Sequence, residues 1–292
     1  ESGYDPYNGV VNCNLSSPTI SNNRISDCNA HGIYLEGSKS IINNNIINNI
    51  AFTGIKNQDS TITISNNSLS NIDYYGIQLM GGDNSTVSNN MLNIIGSNGI
   101  YLSNGDNATI SNNSLSNVSA GAVIYIYGGD SSIVSSNTIV NNIRSGEISA
   151  IALISSNYAQ VIDNEIDSNE STDNYFYGVY IQHSSYSIIN NNTITNNNSN
   201  WESYLIKIQI SEDCIVEGNS IINNGLNTDV FSIRVTQNAE NTSVINNLIL
   251  NNSNSYQGNA IYFDNYSHGG LIERNIISNS GYKGIVLNNI AQ

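Results

Sequence analysis

Residues 63–71 and 109–117 have the same sequence, Thr-Ile-Ser-Asn-Asn-Ser-Leu-Ser-Asn. Within it lies a six-residue phrase, in which an aliphatic residue is followed three positions later by asparagine and five positions later by a second aliphatic residue. The phrase recurs eleven times, and its asparagines are Asn23, Asn45, Asn67, Asn90, Asn113, Asn137, Asn164, Asn192, Asn219, Asn247 and Asn275. Successive asparagines are 22 residues apart at the beginning and 28 apart at the end. A short, sustained period of this kind is the signature of a repeat architecture.

A second phrase precedes the asparagines by 12 to 14 residues and consists of glycine followed by aliphatic-x-aliphatic, as in residues 99–102. Alternation at period two with β-branched residues is typical of strands that bury one face. A coil of 22–28 residues is too short for strands and a crossover helix, and connections between parallel strands are right-handed in about 98% of cases. We therefore predict an all-β fold, a single right-handed parallel β-helix of about eleven coils.

The recurring asparagine lies between two inward aliphatic positions, where the chain has to turn. Asparagine tolerates left-handed backbone angles, and amides stacked about 4.8 Å apart can hydrogen-bond from coil to coil. We predict that the eleven asparagines form a structural ladder. The helix is expected to span residues 18–292, after an irregular N-terminal cap over residues 1–17. Its last strand, residues 284–287, is expected to be uncapped, so that a second subunit or a further domain would cover it.

Composition limits the classes of partner. Eight Lys and Arg against 23 Asp and Glu give a net charge of −15, which argues against nucleic acid and anionic lipid surfaces. No apolar run approaches the roughly 18 residues needed to cross a membrane. Three cysteines are too few for a disulfide framework. A bridge between Cys13 and Cys28 stays open, and Cys214 is predicted to be a buried apolar thiol.

Asn-x-Ser/Thr sequons are dense and predict an exported glycoprotein. They begin at Asn14, Asn66, Asn84, Asn107, Asn112, Asn117, Asn169, Asn191, Asn197, Asn241, Asn251 and Asn265. The chain also begins at Glu1 rather than at methionine. The first residue leads us to expect a processed protein or an excised fragment, and both features together favour an extracellular or cell-surface location.

The repeat of residues 63–71 and 109–117 resembles the parallel β-helix repeat of pectin-lyase-like proteins, of periplasmic copper-maturation proteins of the NosD type and of many archaeal surface proteins. The resemblance extends over roughly residues 18–288. It implies the fold but leaves the function open, because lyases, hydrolases, epimerases, tailspikes and non-catalytic surface proteins share it. It also implies that the outward strand face of the second phrase is where polysaccharide-active members carry a substrate groove.

On four successive coils this outward position holds Tyr180, Lys207, Arg234 and Tyr262. Aromatic rings that stack on sugars, together with cations that meet a uronate carboxylate, would form a carbohydrate-binding strip. The alternatives are an ordinary exposed β-face, on which Asp264 offsets the cations, and a lateral protein–protein contact.

Acidic residues recur in the turns seven or eight residues before the ladder asparagine. They are Asp59, Asp83, Asp106 and Asp130. The last three lie in glycine-rich turns and are candidate Ca²⁺ ligands, because calcium prefers oxygen ligands in such turns. The alternative is the ordinary role of aspartate in a turn, in which its carboxylate caps its own backbone.

No catalytic cluster accompanies these residues. His31, His183 and His268 are scattered, and zinc spacings, phosphate loops and nucleophile elbows are absent from the sequence. We expect no catalytic residue and no cofactor other than Ca²⁺. The main prediction is an extracellular structural protein, a surface-layer or filament subunit that assembles with itself and has glycans as further partners. The alternatives are a polysaccharide-binding or polysaccharide-processing protein (a lyase, epimerase or hydrolase) and a tailspike- or adhesin-like module.

Overall fold

A computed structural model describes residues 9–37, 39–225, 228–253 and 258–288. In these ranges the chain forms 37 short strands arranged in four parallel sheets. Each strand pairs with its counterpart one coil earlier and one coil later, which confirms the predicted all-β parallel β-helix. Within the same ranges, no helix is long and apolar enough to span a lipid bilayer.

Twelve strands form the first sheet. They are β1 (Gly9–Asn14), β4 (His31–Glu36), β7 (Ile55–Gln58), β10 (Ile77–Met80), β13 (Ile100–Ser103), β16 (Ala122–Tyr127), β20 (Ile148–Ile154), β24 (Phe176–Gln182), β28 (Glu202–Gln209), β31 (Asp229–Thr236), β34 (Asn259–Phe263) and β37 (Lys283–Leu287). The second sheet has eleven strands, namely β2 (Thr19–Ser21), β5 (Ile41–Asn43), β8 (Thr63–Ser65), β11 (Thr86–Ser88), β14 (Thr109–Ser111), β17 (Ile133–Ser135), β21 (Gln160–Ile162), β25 (Ile188–Asn190), β29 (Ile215–Glu217), β32 (Ser243–Ile245) and β35 (Ile272–Glu273).

The third sheet also has eleven strands. They are β3 (Arg24–Cys28), β6 (Ile46–Ile50), β9 (Ser68–Ile72), β12 (Met91–Ile95), β15 (Ser114–Val118), β18 (Thr138–Val140), β22 (Glu165–Asp167), β26 (Thr193–Thr195), β30 (Ser220–Ile222), β33 (Leu248–Leu250) and β36 (Ile276–Ser278). A short fourth sheet contains β19 (Ile143–Arg144), β23 (Glu170–Ser171) and β27 (Asn198–Ser199).

The inward side chains of the three long sheets stack into one continuous apolar core. In the fifth coil, for example, Ile100 and Leu102 of the first sheet, Ile110 of the second and Leu115 of the third are fully buried. The same columns hold isoleucine, leucine or valine in coil after coil. The apolar period of the sequence therefore translates directly into packing, because each coil contacts mainly its two neighbours.

The predicted asparagine ladder is present. Asn192 shows its pattern: the side-chain amide donates to Oδ1 of Asn219 (3.0 Å) and to the backbone oxygen of Val161 (2.8 Å). Its Oδ1 accepts from the backbone N–H (3.0 Å) and the side-chain amide (2.9 Å) of Asn164. One part of the prediction is wrong, because the left-handed backbone angle belongs to the preceding residue, such as Asn191 with φ 56°.

A second asparagine ladder, which the sequence analysis missed, runs through the later coils five residues after the first. It consists of the buried residues Asn142, Asn169, Asn197, Asn224 and Asn252. In earlier coils the same position is apolar, as at Ile72 and Ile95. In three of these later coils the additional residues include the strands of the fourth sheet, which accounts for part of the growth of the period from 22 to 28.

The second ladder corrects two of the predicted glycosylation sites. Asn169 and Asn197 are 1% and 0% exposed, and each amide nitrogen donates to the next rung. A glycan on either would break the ladder and has no space, so these two sequons are structural. The asparagines of the other ten sequons are exposed, and their glycosylation stays a prediction.

The helix begins earlier than the expected boundary at residue 18. Strand β1 alternates between outward and partly buried residues and pairs with β4, from Gly9 opposite His31 to Asn14 opposite Glu36. Residues 9–14 therefore belong to the solenoid and not to an irregular cap. The remainder of the expected cap, residues 1–8, and the final residues 289–292 of the expected open end lie outside the described residues.

The cysteines are thiols. Cys214 is fully buried, as predicted, and its Sγ donates to the backbone oxygens of Glu212 (3.5 Å) and Ser184 (3.6 Å). Burial raises the pKa of the Cys214 thiol to about 11. Cys13 and Cys28 lie in different sheets, and the disulfide that the sequence left open is not formed.

Candidate functional site

The four residues of the predicted strip are neighbours on the outer face of the first sheet. The strand register places Tyr180 opposite Lys207, Lys207 opposite Arg234, and Arg234 opposite Tyr262. The spacing of the repeats predicted this arrangement. In a solenoid, residues at the same position of successive repeats pair with one another, so that they form a straight column.

A second aromatic column, which was not predicted, lies beside the strip. Tyr177, Tyr204 and Phe231 precede the outward residues by three positions and stack on one another, with ring centroids 5.3 and 5.2 Å apart. Strict alternation would point them to the opposite face. In the pairing of β24 with β28, Tyr177 and Val179 have partners on the neighbouring strand but Gly178 does not. The alternation of side chains is therefore interrupted at Gly178, and both columns lie on the same side of the sheet. The sequence contained one signal for this second column, namely an aromatic residue three positions before the outward residue in each of three successive coils.

Lys207 occupies the centre of this surface. Its Nζ lies 5.0, 5.2 and 4.9 Å from the ring centroids of Tyr177, Tyr180 and Tyr204. In the part of the chain that the structure describes, the ammonium makes no ion pair and no hydrogen bond. Burial and the adjacent positive charge of Arg234 lower the pKa of Lys207 to about 8.

Arg234, in contrast, is held by several partners. Its guanidinium carbon lies 5.2 to 5.5 Å from three ring centroids. Nη2 donates to Oδ2 of Asp264 at 2.8 Å, and Nη1 donates to the hydroxyl oxygen of Tyr204 at 3.0 Å. The Tyr204 hydroxyl in turn donates to the Glu202 carboxylate. The expectation that Asp264 offsets a cation is confirmed for Arg234 but not for Lys207.

A depression adjoins the strip on its N-terminal side. Ala152 takes the outward position between Tyr125 and Tyr180, and its small side chain leaves a cavity of about 420 Å³. Tyr101, Tyr125 and Tyr180 line its walls, and Glu147 lies at the same cavity. Burial raises the pKa of Tyr180 to about 12, so its hydroxyl, which donates to Oε1 of Gln209 at 2.9 Å, stays protonated.

The aspartates of the predicted calcium site form a column, but their side chains serve the turns. Oδ1 of Asp83 accepts from the backbone N–H of Asp106 (3.0 Å), Oδ1 of Asp106 from that of Asp130 (2.9 Å), and Oδ1 of Asp130 from that of Asn157 (2.7 Å). Over the described residues, no group of three His, Cys, Asp or Glu side chains is placed to hold a metal. Each of these carboxylates bonds to the backbone of the next coil, which differs from the predicted capping of its own turn, and a calcium site stays a prediction.

The histidines do not join the strip. His183 is an exposed turn residue with φ 50°, and His268 lies 3.7 Å from Glu240. His31 is buried near the other end of the first sheet, where its ring stacks on that of Tyr34 with centroids 6.0 Å apart. The sequence had no signal for this contact, because it joins two residues within one strand through a local bend.

Solved structures of similar fold have names that refer to polysaccharides. The A-module of a mannuronan C-5 epimerase of Azotobacter vinelandii aligns with a TM-score of 0.52 at 13% identity, over 94% of this chain and 91% of that one. A periplasmic alginate epimerase aligns with a TM-score of 0.54 at 14% identity, over 94% and 77%. At such identities the likeness shows the fold alone.

The catalytic unit of a GH87 α-1,3-glucanase from Streptomyces thermodiastaticus has a TM-score of 0.58 at 14% identity. The alignment covers 88% of this chain, which spans only 56% of that protein. No curated protein matches the sequence.

The sequence also matches the family model described as the right handed beta helix region, over residues 8–166 and again over residues 141–291. Together these two matches cover nearly the whole chain, and they agree with the stacked parallel coils and the asparagine ladder. They also supply the hand of the solenoid that the sequence predicted. The chain therefore belongs to the right-handed β-helix family.

Proposed function

We propose that this chain binds an acidic polysaccharide outside the cell, across the aromatic face that contains Tyr180, Lys207, Arg234 and Tyr262. One observation carries the proposal: the ammonium of Lys207 is half-buried among three tyrosine rings and has no carboxylate partner among the described residues.

Removing a charged group from water is costly unless a partner of opposite charge compensates for it. Contacts with aromatic faces return only part of this cost, roughly 0.5–2 kcal/mol each. The carboxylate of a uronic acid would complete the pairing at Lys207. Arg234 is already neutralised by Asp264, so Lys207 is the cation left for a ligand. The flat rings on both sides of it would stack on the apolar faces of sugar rings.

This function was an alternative in the sequence analysis, and the strip and the polysaccharide-related names of the similar structures support it better than the main prediction. Extracellular location belongs to the same proposal and is supported by the ten exposed sequons. Assembly into a surface layer or filament, and a tailspike- or adhesin-like role, stay predictions.

The proposal is tested by titrating the protein with polygalacturonate and with neutral dextran in a calorimeter. We expect binding to the polyuronate and no binding to dextran. Lys207→Met should weaken polyuronate binding at least tenfold, about 1.4 kcal/mol, since it removes the unpaired charge and keeps the length of the side chain. Lys39→Met, which removes an exposed cation, is the matched control and should bind normally. Equal binding of dextran, or an unchanged affinity of Lys207→Met, would refute the proposal.

A second candidate is chemical processing of the same ligand, favoured by the low pKa of Lys207 next to Arg234. A neutral Lys207 amine could take the proton from the carbon α to the uronate carboxylate, while the Arg234 guanidinium stabilises the charge that develops on the carboxylate oxygens. A proton that the carbanion takes from water on the opposite face would invert the sugar. Alternatively, the electron pair of the carbanion would form a double bond to the β carbon as the bond from that carbon to the glycosidic oxygen breaks, and the leaving oxygen would take a proton from water, so that the chain is cleaved.

This candidate predicts that polyuronate incubated with the protein in D₂O gains deuterium at that carbon, as measured by NMR. Cleavage would add the ultraviolet absorbance of the unsaturated product. Lys207→Met should abolish both signals. If the unmodified protein produces neither signal with a ligand that it binds, the chain is a binding protein and this candidate fails.

A further inference from the structure

We infer that the cavity at Ala152 binds a small organic cation with a trimethylammonium group, separately from the acidic ligand proposed for Lys207. Its aromatic lining consists of Tyr75, Tyr101, Tyr125 and Tyr180. Glu147 is the only charged residue that the structure describes in this lining. The face of a tyrosine ring attracts cations, and a carboxylate supplies the opposite charge. The cavity is therefore suited to a ligand that is positively charged but has an apolar surface.

The outward column that contains Ala152 also shows which groups its aromatic rings accept. Nζ of Lys207 and the guanidinium carbon of Arg234 each lie 4.9 to 5.5 Å from three ring centroids. Among the described residues, no Lys or Arg lies over the rings of Tyr75, Tyr101 and Tyr125. Alanine occupies the outward position there, so an external cation can take the place that lysine and arginine fill further along.

The width of the gap matches a tetrahedral cation. Ala152 pairs with Tyr125 on one side and with Tyr180 on the other, so two strand spacings, about 9.6 Å, separate these tyrosines. The rings project outward at about the spacing of their strands, since those of Tyr101 and Tyr125 have centroids 5.6 Å apart. A nitrogen in the middle lies about 4.8 Å from each ring, within the roughly 6 Å over which rings attract cations.

The same width disfavours a flat ligand. Carbon atoms in contact are about 3.5–4.0 Å apart, so a ligand that touches both rings has outer carbon atoms about 2 Å apart across the gap. Two methyl carbons on one nitrogen have nearly this separation. A ring lying parallel to the tyrosines is thinner and contacts only one of them well.

The charges around the cavity favour a cation on balance. Burial raises the pKa of Tyr180 to about 12, and the nearby Glu147 carboxylate contributes to this rise. Arg144 brings a positive charge close to the cavity, because its Nη1 lies 3.2 Å from where a Cβ at Gly121 would be. Nη1 donates to the backbone oxygen of Glu147 at 3.3 Å, and the described residues show no ion pair between the two side chains. The net charge of −15 attracts cations to the protein as a whole.

The test titrates the protein with choline and records the proton NMR signal of its methyl groups. The signal should move upfield, because tyrosine rings shield protons held over their faces, and we expect a dissociation constant of about 1 mM. The control ligand is 3,3-dimethylbutan-1-ol, which has the shape of choline but no charge, and it should bind at least about tenfold more weakly.

Three variants locate the site. Ala152→Lys places the chain's own cation in the gap, as Lys207 does in the same column, and should abolish choline binding. Glu147→Gln should weaken binding about fivefold. Glu165→Gln, which removes an exposed carboxylate of the third sheet, is the matched control and should bind choline normally.

The outcomes separate this inference from the proposed function. Lys207→Met should still bind choline, since Tyr180 lies between Ala152 and Lys207. Sedimentation with phosphatidylcholine vesicles, in competition with choline, distinguishes a lipid head group from a free solute as the source of the cation. The inference fails if choline causes no shift, if the uncharged analogue binds equally well, or if Ala152→Lys binds choline normally. None of these results would affect polyuronate binding at Lys207.

Discussion

Replacement of Asn192 by alanine should lower the free energy of unfolding by about 3–5 kcal/mol, near the upper limit for a single substitution. The side chain is fully buried and links three coils. Its loss leaves three buried groups without partners: the backbone oxygen of Val161, and the backbone N–H and one side-chain N–H of Asn164. The side-chain oxygen of Asn219 loses one of its two donors and keeps the backbone N–H of residue 192. Each unsatisfied group costs about 1–3 kcal/mol before any relaxation.

Guanidinium denaturation followed by tyrosine fluorescence measures this effect. Asn190→Ala is a close control, because Asn190 is the outward residue of β25 two positions earlier and lies on the half-exposed side. It should change the stability by less than about 0.5 kcal/mol. Equal losses for the two variants would mean that the ladder contributes nothing beyond helix packing. A changed slope with denaturant would indicate that the coils no longer unfold together.

Affinity for the polyuronate should fall as the pH rises through about 8, the pKa of Lys207. The carboxylate binds the charged ammonium, so binding is strongest below this pH and declines by up to about tenfold per pH unit above it. Burial and the charge of Arg234 lower this pKa, and the nearby carboxylates of Glu147, Asp264 and Glu202 oppose the shift. A bound carboxylate raises the pKa of Lys207 in the complex, so the decline begins near the pKa of the free protein, about 8, and levels off at the higher pKa of the complex.

The three tyrosines whose rings surround Lys207 do not contribute to this dependence of affinity on pH. Burial raises the pKa of Tyr177, of Tyr180 and of Tyr204 above the ordinary value of 10, and their hydroxyls stay neutral between pH 7 and 10 as a consequence.

Lys207→Arg provides the decisive comparison in calorimetric titrations from pH 7 to 10. A guanidinium keeps its charge throughout this range, so the variant should retain affinity at pH 9.5 where the unmodified protein has lost most of it. If both proteins decline in parallel, a group other than Lys207 controls binding, and the role assigned to this lysine is wrong.

The fold was predictable in detail because each coil of a solenoid contacts only the coil before it and the coil after it in the sequence. The sequence phrase around Asn67 recurs around Asn90, and this repetition predicts that the two coils stack on each other, as they do in the structure. The same rule placed Lys207 next to Arg234, since residues at one position of the repeat are hydrogen-bonded neighbours in the first sheet.

Features that depend on the path within a coil were not predictable in this way. Strict alternation assigned Tyr177 and Tyr180 to opposite faces, but the backbone bends between them and puts their ring centroids 5.1 Å apart. Sequon patterns treated Asn169 and Asn112 alike, although the first is buried in a ladder and the second is exposed in a turn. In both comparisons the two residues are of the same type, tyrosine or asparagine. Only the structure shows how the side chain of each is placed relative to the core.

The sequence by itself determined the architecture, the first ladder and the column of outward residues, because all three follow from a repeat in which each coil contacts only its neighbours. Only the tertiary structure decided which polar groups are withdrawn from water and which of them have partners. Among the described residues it gives Lys207 three neighbouring rings and no ion pair, whereas it pairs Arg234 on the next strand with Asp264. Burial and pairing depend on distances between side chains across bends and coils, and the period of a repeat contains no information about those distances.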